Sequence, residues 1–424
     1  MTDVLKDLID RNRSGAAVAI PSVCSAHSGV LRASMLAAHR IGTALVVEAT
    51  SNQVNQDGGY TGMTAQDFVS FVKGLAADAG IAATDIILGG DHLGPQAWRH
   101  LPAQDAMQKA HQMVADYAAA GFTKIHLDCS EGCAGEPAQL PDQVTAQRSA
   151  ELALTALKAA PKADAIGFVI GTEVPPPGGA RLDEEGDIPA TSAAAMVQTL
   201  KAHADAFDQA GVPFDQVFGL VVQPGVEFSP MQVHAYPMDR ELPYRAALAD
   251  WPGICLEAHS TDYQIPDVYP RLASEGFAFQ KVGPALTFAW RQALYALDGL
   301  AVEMGRPDLA LRHVMEKLMQ ADPTYWKSHY HGDATALKLA RHYGYADRIR
   351  YYWPHPKAQQ AVLDLETWVE QNPPPAPLLA QGFAPDILTH AKRLRGSLLS
   401  RLATAQTQAA LWPYFLDRGG ANDQ

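Results

Sequence analysis

Residues 86–95, with the sequence IILGGDHLGP, join a short apolar run to a polar turn. The run 86–88 has the length and composition of a buried strand. The two glycines after it permit a close approach of the backbone to a neighbour. Asp91 and His92 follow at the point where the strand should end. The segment therefore predicts a buried strand that carries ionisable side chains at its carboxyl end.

Similar apolar runs recur along the chain and alternate with Ala/Leu-rich segments of helical periodicity. The eight runs span residues 17–23, 44–47, 86–88, 124–127, 166–170, 218–222, 254–257 and 277–282. The clearest helical segments are 103–120, which ends before Gly121, and 140–160, which ends before Pro161. Continuous apolar runs are typical of parallel strands that are covered on both faces. The pattern predicts an α/β protein with a (β/α)8 TIM barrel. A doubly wound sheet is the alternative, although it more naturally carries a G-x-G-x-x-G turn, which this sequence lacks.

The strand pattern fades after residue 300. Helices are predicted over residues 309–321, 334–343, 358–371 and 385–405, and the segment NPPPAP at 372–377 must interrupt any helix. We therefore expect two units. Residues 1–300 would form the barrel that carries the active site, and residues 301–424 a mostly helical C-terminal extension that packs on it.

Composition excludes several classes of protein. The 424 residues include 33 Lys+Arg and 46 Asp+Glu, a net charge of −13, which weighs against nucleic-acid binding. The sequence contains no run of about 18 apolar residues, the length that a membrane-spanning helix needs. The N-terminal residues lack the apolar core of a signal peptide, so a cytoplasmic location is expected. The four cysteines are too few for a disulfide scaffold in a chain of this length.

In a TIM barrel, catalytic residues come from the carboxyl ends of the strands. Every predicted strand here is followed by a polar or ionisable group, and this convergence indicates an enzyme. The full set is Cys24 and His27; Glu48, Asn52 and Gln53; Asp91 and His92; Asp128 and Ser130; Glu173; Gln223 and Glu227; His259 and Asp262; Lys281 and Gly283.

Two histidines and a carboxylate in this set suggest a metal site. His92 and His259 are candidate ligands, and Glu173 could supply the carboxylate. Such a triad leaves an open position for substrate, and Zn²⁺ is the default metal. Asp91 would handle protons beside the metal. The alternative is that these histidines bond to backbone carbonyls and the acids cap helices or lie at the surface.

Other strand-end groups suggest a small anionic sugar as substrate. Lys281 and Gly283, in the segment FQKVGP at 279–284, resemble a phosphate site after the last strand; the alternative is an ion-paired lysine at the barrel mouth. The segment at 347–354, with Arg348, could close over a sugar phosphate or simply pack on the barrel. Asn52 and Gln53 could bond to sugar hydroxyls. The strand-end residues Glu48 and Gln223 complete the predicted substrate-binding set.

Five longer strings resemble a known family. They are VVEATSNQVNQDGGYTGM (46–63), ILGGDHLGP (87–95), AGFTKIHLDCS (120–130), FVIGTEVP (168–175) and DRIRYYWP (347–354). Together they resemble the GatZ/KbaZ-like family of tagatose-bisphosphate aldolase subunits, which is similar to class II aldolases and to sugar-phosphate and uronate 4-epimerases. The resemblance covers nearly the whole chain and implies a TIM barrel.

The resemblance also implies roles for single residues. Asp91 and His92 match the Asp-His pair of class II aldolases, in which the Asp handles protons and the His binds zinc. His259 resembles a second zinc ligand. At the position of a third histidine this chain has Glu173, so either Glu173 replaces that ligand or the metal is lost. Asp128 and Glu173 are also candidate catalytic residues.

The family implies several activities. Some members are non-catalytic subunits that support a separate aldolase subunit, and others interconvert D-tagatose 6-phosphate and D-fructose 6-phosphate. The hydrogen on C4 of a 2-ketose is not adjacent to the carbonyl, so inversion at C4 requires cleavage and re-formation of the C3–C4 bond. We expect a zinc-dependent 4-epimerase of ketohexose phosphates. The alternatives are the accessory Z subunit, a tagaturonate/fructuronate 4-epimerase or a class II aldolase. The expected partners are a sugar phosphate and either a second copy of the chain or an aldolase catalytic subunit.

Overall fold

A computed structural model describes residues 2–172 and 188–416. The strands are β1 (Ile20–Cys24), β2 (Leu45–Thr50), β3 (Ile86–Leu93), β4 (Lys124–Leu127), β5 (Gly167–Ile170), β6 (Val217–Val221), β7 (Glu227–Phe228), β8 (Val233–His234), β9 (Cys255–Ala258) and β10 (Phe277–Val282). Eight of them form a closed parallel barrel in the order β1-β10-β9-β6-β5-β4-β3-β2. Each predicted run overlaps one barrel strand, so the TIM barrel is confirmed and closure excludes the doubly wound alternative. The antiparallel pair β7–β8 is additional, and its two-residue strands are too short to give a sequence pattern.

Helices surround the barrel and continue beyond it. They are α1 (Asp3–Arg13), α2 (Ser28–Ile41), α3 (Ala65–Ala79), α4 (Ala103–Ala120), α5 (Asp142–Ala159), α6 (Ala193–Ala210), α7 (Tyr244–Ala247), α8 (Val268–Ser274), α9 (Pro284–Glu303), α10 (Leu311–Ala321), α11 (Ala334–Tyr343), α12 (Pro356–Gln371), α13 (Ala376–Gly382), α14 (Pro385–Ala391) and α15 (Leu398–Leu411). The predicted end of α4 is confirmed, because Gly121 adopts the left-handed conformation (φ 98°) that stops the helix. None of the helices in the described ranges is both long and apolar enough to span a membrane.

The first helix covers the amino end of the barrel. Leu5 and Ile9 of α1 are buried in one apolar cluster with Val46, Ile87 and residues of other barrel strands, most of them near the amino ends of those strands. Burial of side chains of this size stabilises the fold by about 1.5–3 kcal/mol each. Polar and charged side chains lie instead toward the carboxyl end of the barrel.

The helical extension is confirmed, with two differences from the predicted helices. The first is α13, which was not predicted and begins at Ala376, inside the segment 372–377. The segment 385–405 is two helices, α14 and α15, because Gly396 adopts φ 115° and Ser397 then caps the second helix. The predicted boundary between residues 300 and 301 falls within α9, which runs without a break to Glu303.

Buried polar contacts attach the extension to the barrel. Asp347 accepts hydrogen bonds from Thr287 Oγ1 at 2.6 Å and from Arg291 Nε at 2.8 Å, both on α9. Gln408 of α15 donates to the Ala33 carbonyl of α2 at 2.9 Å. These contacts hold residues 344–353 beside the barrel mouth.

Candidate active site

A network of buried charges lies inside the barrel. Lys124 on β4 donates to Glu48 Oε1 on β2 at 2.6 Å and to Glu257 Oε2 on β9 at 2.5 Å. Because β4 pairs with neither β2 nor β9, these contacts cross the barrel interior. Lys281 Nζ on β10 lies 3.1 Å from both carboxylates. Burial opposes the charge on Lys124, but Glu257 and Glu48 raise its pKa. The network therefore holds two lysines and two glutamates away from water.

Asp91 joins this network at the end of β3. Its Oδ1 accepts a hydrogen bond from Lys281 Nζ. Burial opposes ionisation, but the charges of His92 and Lys281 hold the pKa of Asp91 well below its usual range. Burial likewise opposes charge on Lys281, yet three neighbouring carboxylates raise its pKa well above the usual value. Asp91 is thus an ionised carboxylate, buried beside Lys281.

Asp128 orients His92. The His92 Nδ1 lies 2.7 Å from Asp128 Oδ2, and Ser130 donates through its N–H and its hydroxyl to the other carboxylate oxygen. Burial would raise the pKa of Asp128, but its hydrogen bond with His92 keeps it below the usual range. An ionised carboxylate can only accept, so Nδ1 of His92 carries a proton and donates it to Asp128. Asp128 is therefore a positioning residue. A Cβ at Gly94 would lie 1.6 Å from the Asp128 carbonyl oxygen, which explains this glycine.

A second carboxylate–histidine pair involves His126, in the middle of β4. Its Nδ1 lies 2.9 Å from Asp91 Oδ1. The His92 N–H also points at this Nδ1, at 3.2 Å, but the shorter contact with a charged acceptor decides the tautomer and places the proton on Nδ1. The His126 Nε2 is buried and has no hydrogen-bond partner.

Three imidazoles face one another at this point. The ring centroids of His92, His126 and His259 lie 5.1–5.2 Å apart in each pair. His259 Nε2 also lies 2.9 Å from Glu257 Oε1, which confirms that alternation along β9 places both residues on one side. Burial and then Lys281 lower the pKa of His259 to about 3, so its ring is neutral near pH 7.

The backbone is strained beside two of these histidines. His92 has φ 49° and lies within the register shift between Gly90 and Leu93 in the pairing of β3 with β4, and Ser260 has φ 52°. Non-glycine residues rarely adopt this region, and such strain and bulges cluster at functional sites, where they re-aim side chains. The strain supports a catalytic role for this end of the barrel.

Two adjoining cavities open at the site. The first, about 70 Å³, is lined by Asp91, His92, His259 and Lys281 from the barrel and by Arg350 and Tyr351 from the extension. The second, about 500 Å³, includes His27, Trp290 and Trp353. The cavities share the residues Cys24, Gln53, Tyr60, Gly283 and Arg350.

The groups expected to bind phosphate after β10 are engaged within the protein. The N–H groups of Gly283 and Ala285, at the start of α9, donate to Asp262 Oδ1 at 3.1 and 2.8 Å. Burial raises the pKa of Asp262 to about 6. Lys281 is held by the three carboxylates described above, as in the alternative interpretation of an ion-paired lysine.

The remaining predicted substrate-binding residues divide into two groups. Asn52 and Gln53 line the first cavity. Gln223 instead stabilises a turn, since its Oε1 accepts from the N–H groups of Gly225 and Val226. Arg348 donates from Nε to the Tyr325 carbonyl and lines neither cavity.

Glu173, predicted as a catalytic residue and metal ligand, lies outside the described residues. Sequence reasoning did not select His126, Lys124 or Arg350 as site residues. His126 had a usable signal, because alternation along β4 places it on the same side as Asp128. Lys124 had one as well, since a lysine inside an apolar strand requires buried acidic partners.

The fold and this constellation define a TIM-barrel protein with an acid–base site at the carboxyl ends of its strands. Residues 5–416 match the D-tagatose-1,6-bisphosphate aldolase subunit GatZ/KbaZ-like family. The chain belongs to this family, which confirms the resemblance seen in the sequence.

Two relatives are similar over most of their length. The D-tagatose 6-phosphate 4-epimerase of Agrobacterium fabrum (strain C58 / ATCC 33970) is 48% identical over 387 residues, which cover 90% of this chain and 91% of the relative. The crystal structure of a probable tagatose 6 phosphate kinase from Sinorhizobium meliloti 1021 superposes with a TM-score of 0.85 at 45% identity, covering 94% of this chain and 99% of that one.

Proposed function

We propose that this protein is an enzyme that interconverts D-tagatose 6-phosphate and D-fructose 6-phosphate by inversion at C4. The observation that carries the proposal is Asp91, an ionised buried carboxylate in a cavity lined by histidines and a lysine. Similarity to the Agrobacterium epimerase supports it. The Sinorhizobium relative bears a kinase name, but both names contain tagatose 6-phosphate, and acid–base groups fit carbon–carbon bond chemistry.

The reaction proceeds by retro-aldol cleavage. Asp91 accepts the proton of the C4 hydroxyl, the C3–C4 bond breaks, and its electron pair forms an enediolate over C2 and C3. The other product is an aldehyde that carries C4 to C6 and the phosphate. When this aldehyde turns its other face to C3, the bond re-forms with C4 inverted and the proton returns to O4. The Lys281 ammonium beside Asp91 stabilises the negative charge of these steps.

A divalent cation fits the histidine cluster. In the described residues, three groups have ligand atoms within 4.8 Å of one another, and two of them contain histidines and share His259: Asp91, His92 and His259, and His126, Glu257 and His259. His126 Nε2, the buried nitrogen without a partner, would be the third imidazole ligand beside His92 and His259. The carboxylates on the far side of His92 and His126 are the partners that metal-bound histidines usually have. A bound Zn²⁺ would supply Lewis-acid stabilisation of the enediolate. Glu173 as a further ligand stays a prediction, as do the cytoplasmic location and the assembly.

Replacing His126 with glutamine is expected to weaken zinc binding at least about 100-fold, since loss of an outer partner alone costs 10–100-fold. The measurement is zinc content after dialysis against a competing chelator. His203→Gln is the matched control, because His203 on α6 is also buried with an unpartnered Nε2 but lies outside the cluster. Zinc retention by His126→Gln equal to that of His203→Gln would remove His126 from the proposed ligands.

The proposed activity is tested with the purified chain alone. Zinc-supplemented protein is incubated with D-tagatose 6-phosphate, and fructose 6-phosphate is followed with and without chelator. We expect conversion without any partner and its loss with chelator. Conversion only after an aldolase catalytic subunit is added would contradict the proposal and favour the accessory role. Conversion of tagaturonate, with no conversion of D-tagatose 6-phosphate, would favour the uronate epimerase.

A further inference from the structure

We propose that Arg350, supplied by the extension, binds the anionic end of the substrate and keeps the cleaved aldehyde in the site. This inference rests on the proposed function and specifies which residue recognises the phosphate. It assigns retention of the fragment, which separates an epimerase from an aldolase, to one side chain outside the barrel.

The first argument is the state of the cations that line the first cavity. Apart from histidines, the described residues there offer two, Lys281 and Arg350. Lys281 is neutralised by Asp91, Glu48 and Glu257. No described carboxylate lies within ion-pair distance of Arg350. A guanidinium without a carboxylate partner is the cation available to a phosphate, which it can bind through two parallel N–H groups.

The second argument is that Arg350 is held in place by neutral groups. Its Nη1 donates to the carbonyls of Ala346, at 2.5 Å, and Asp347, at 3.1 Å, and its Nη2 donates to the Tyr351 hydroxyl at 3.1 Å. Asp347 has φ 44°, and its carboxylate is occupied by Thr287 and Arg291. The fold therefore fixes the guanidinium without placing a described carboxylate in ion-pair contact with it.

The third argument is position. Arg350 lines both cavities, as does Tyr60, whose ring packs edge-on against Tyr351 at 4.6 Å. The reacting groups Asp91 and Lys281 line only the first cavity. A substrate whose C4 hydroxyl lies at Asp91 can therefore extend its phosphate toward the shared boundary, where Arg350 is. The competing location, the start of α9, already holds the Asp262 carboxylate.

Retention follows from this anchor. After the C3–C4 bond breaks, the phosphate stays on the aldehyde fragment, at the end remote from C4. While Arg350 holds that end, rotation about the C4–C5 bond presents the other face of the carbonyl to C3 without release of the fragment. Without the anchor, the fragment leaves before the bond re-forms, and the turnover appears as cleavage to glyceraldehyde 3-phosphate and dihydroxyacetone.

The experiment compares wild type with Arg350→Met, Arg350→Lys and Arg348→Gln. Arg348 is the neighbouring arginine on the same segment. Its guanidinium lies over the Tyr351 ring, 5.0 Å from the centroid, and lines neither cavity. Inorganic phosphate binding is measured by calorimetry, and the ratio of glyceraldehyde 3-phosphate released to fructose 6-phosphate formed is measured from D-tagatose 6-phosphate. We expect Arg350→Met to weaken phosphate binding about 10- to 100-fold and to raise the release ratio, Arg350→Lys to lie between, and Arg348→Gln to match wild type.

Phosphate affinity in folded Arg350→Met equal to wild type would overturn the proposal, and so would a loss confined to Arg348→Gln. If Arg350→Met does not fold, the Arg350→Lys arm decides, since it keeps the charge but loses the fork of N–H groups. The experiment also distinguishes failure of the proposed function from failure of the Arg350 proposal. A wild type that binds phosphate through Arg350 but does not convert D-tagatose 6-phosphate would contradict the epimerase and leave the anion site standing.

Discussion

Replacing Asp91 with asparagine is expected to lower kcat for conversion of D-tagatose 6-phosphate by about 10²–10⁴-fold, the usual contribution of a general base. Asparagine has nearly the same shape but cannot accept the C4 hydroxyl proton. The KM should change less, because Asp91 lies at the reacting end and the proposed phosphate anchor is elsewhere. The rates of wild type and variant are compared at saturating substrate with zinc present.

A folding measurement must accompany that assay, because Asp91 also bonds to Lys281 and His126. The melting temperature and zinc content of Asp91→Asn show whether the loss is chemical. Asp57→Asn is the matched control, since Asp57 also contacts a lysine but lies at the surface. If folded, zinc-loaded Asp91→Asn retains more than about a tenth of wild-type kcat, below the usual effect of a base, Asp91 is not the base.

Replacing Lys124 with methionine is expected to lower the free energy of unfolding by about 3–5 kcal/mol, the usual effect of removing one partner of a buried ion pair. Glu48 and Glu257, both fully buried, would lose their ion pairs with Lys124. Lys281 would then be the remaining lysine beside these two carboxylates and Asp91. The measurement is urea unfolding followed by circular dichroism.

Lys109→Met is the control for this variant. Lys109 also contacts a carboxylate, Asp57, at 2.9 Å, but both side chains are well exposed, at 39% and 53%. A surface pair contributes about 0–1 kcal/mol. A loss for Lys124→Met as small as that for Lys109→Met would show that the buried network does not stabilise the barrel. Adding Glu48→Gln to Lys124→Met should recover part of the loss, because it removes one uncompensated charge.

The sequence was sufficient for the barrel and for much of its site. Buried parallel strands have a strong apolar pattern, and closing them into a barrel brings their carboxyl ends together whatever the loops do. Asp91, His92, His259 and Lys281 meet for that reason alone. Local patterns such as the glycine after α4 also predicted where a helix ends.

The remaining features depend on contacts that no local pattern contains. His126 and Lys124 lie inside a strand and look like core positions until the acids of β2, β3 and β9 are placed opposite them. The choice between Arg348 and Arg350 depends on the turn of backbone that begins at Asp347 with φ 44°, which sends one guanidinium to the Tyr325 carbonyl and the other to the cavity. The start of α9 resembles an anion site in sequence, and only the fold shows that Asp262 fills it.

Because α1 covers the amino end of the barrel, ligands can enter and leave the interior only at the carboxyl end. Leu5 and Ile9 pack in the apolar cluster near the amino ends of the strands and cover that end of the interior, and the two cavities lie at the other end. Under the proposed function, substrate and product would therefore pass through the same opening, and a product would leave before the next substrate enters. Arg350 and Tyr351 of the extension line the cavity at this opening, so the extension would affect both substrate entry and product release.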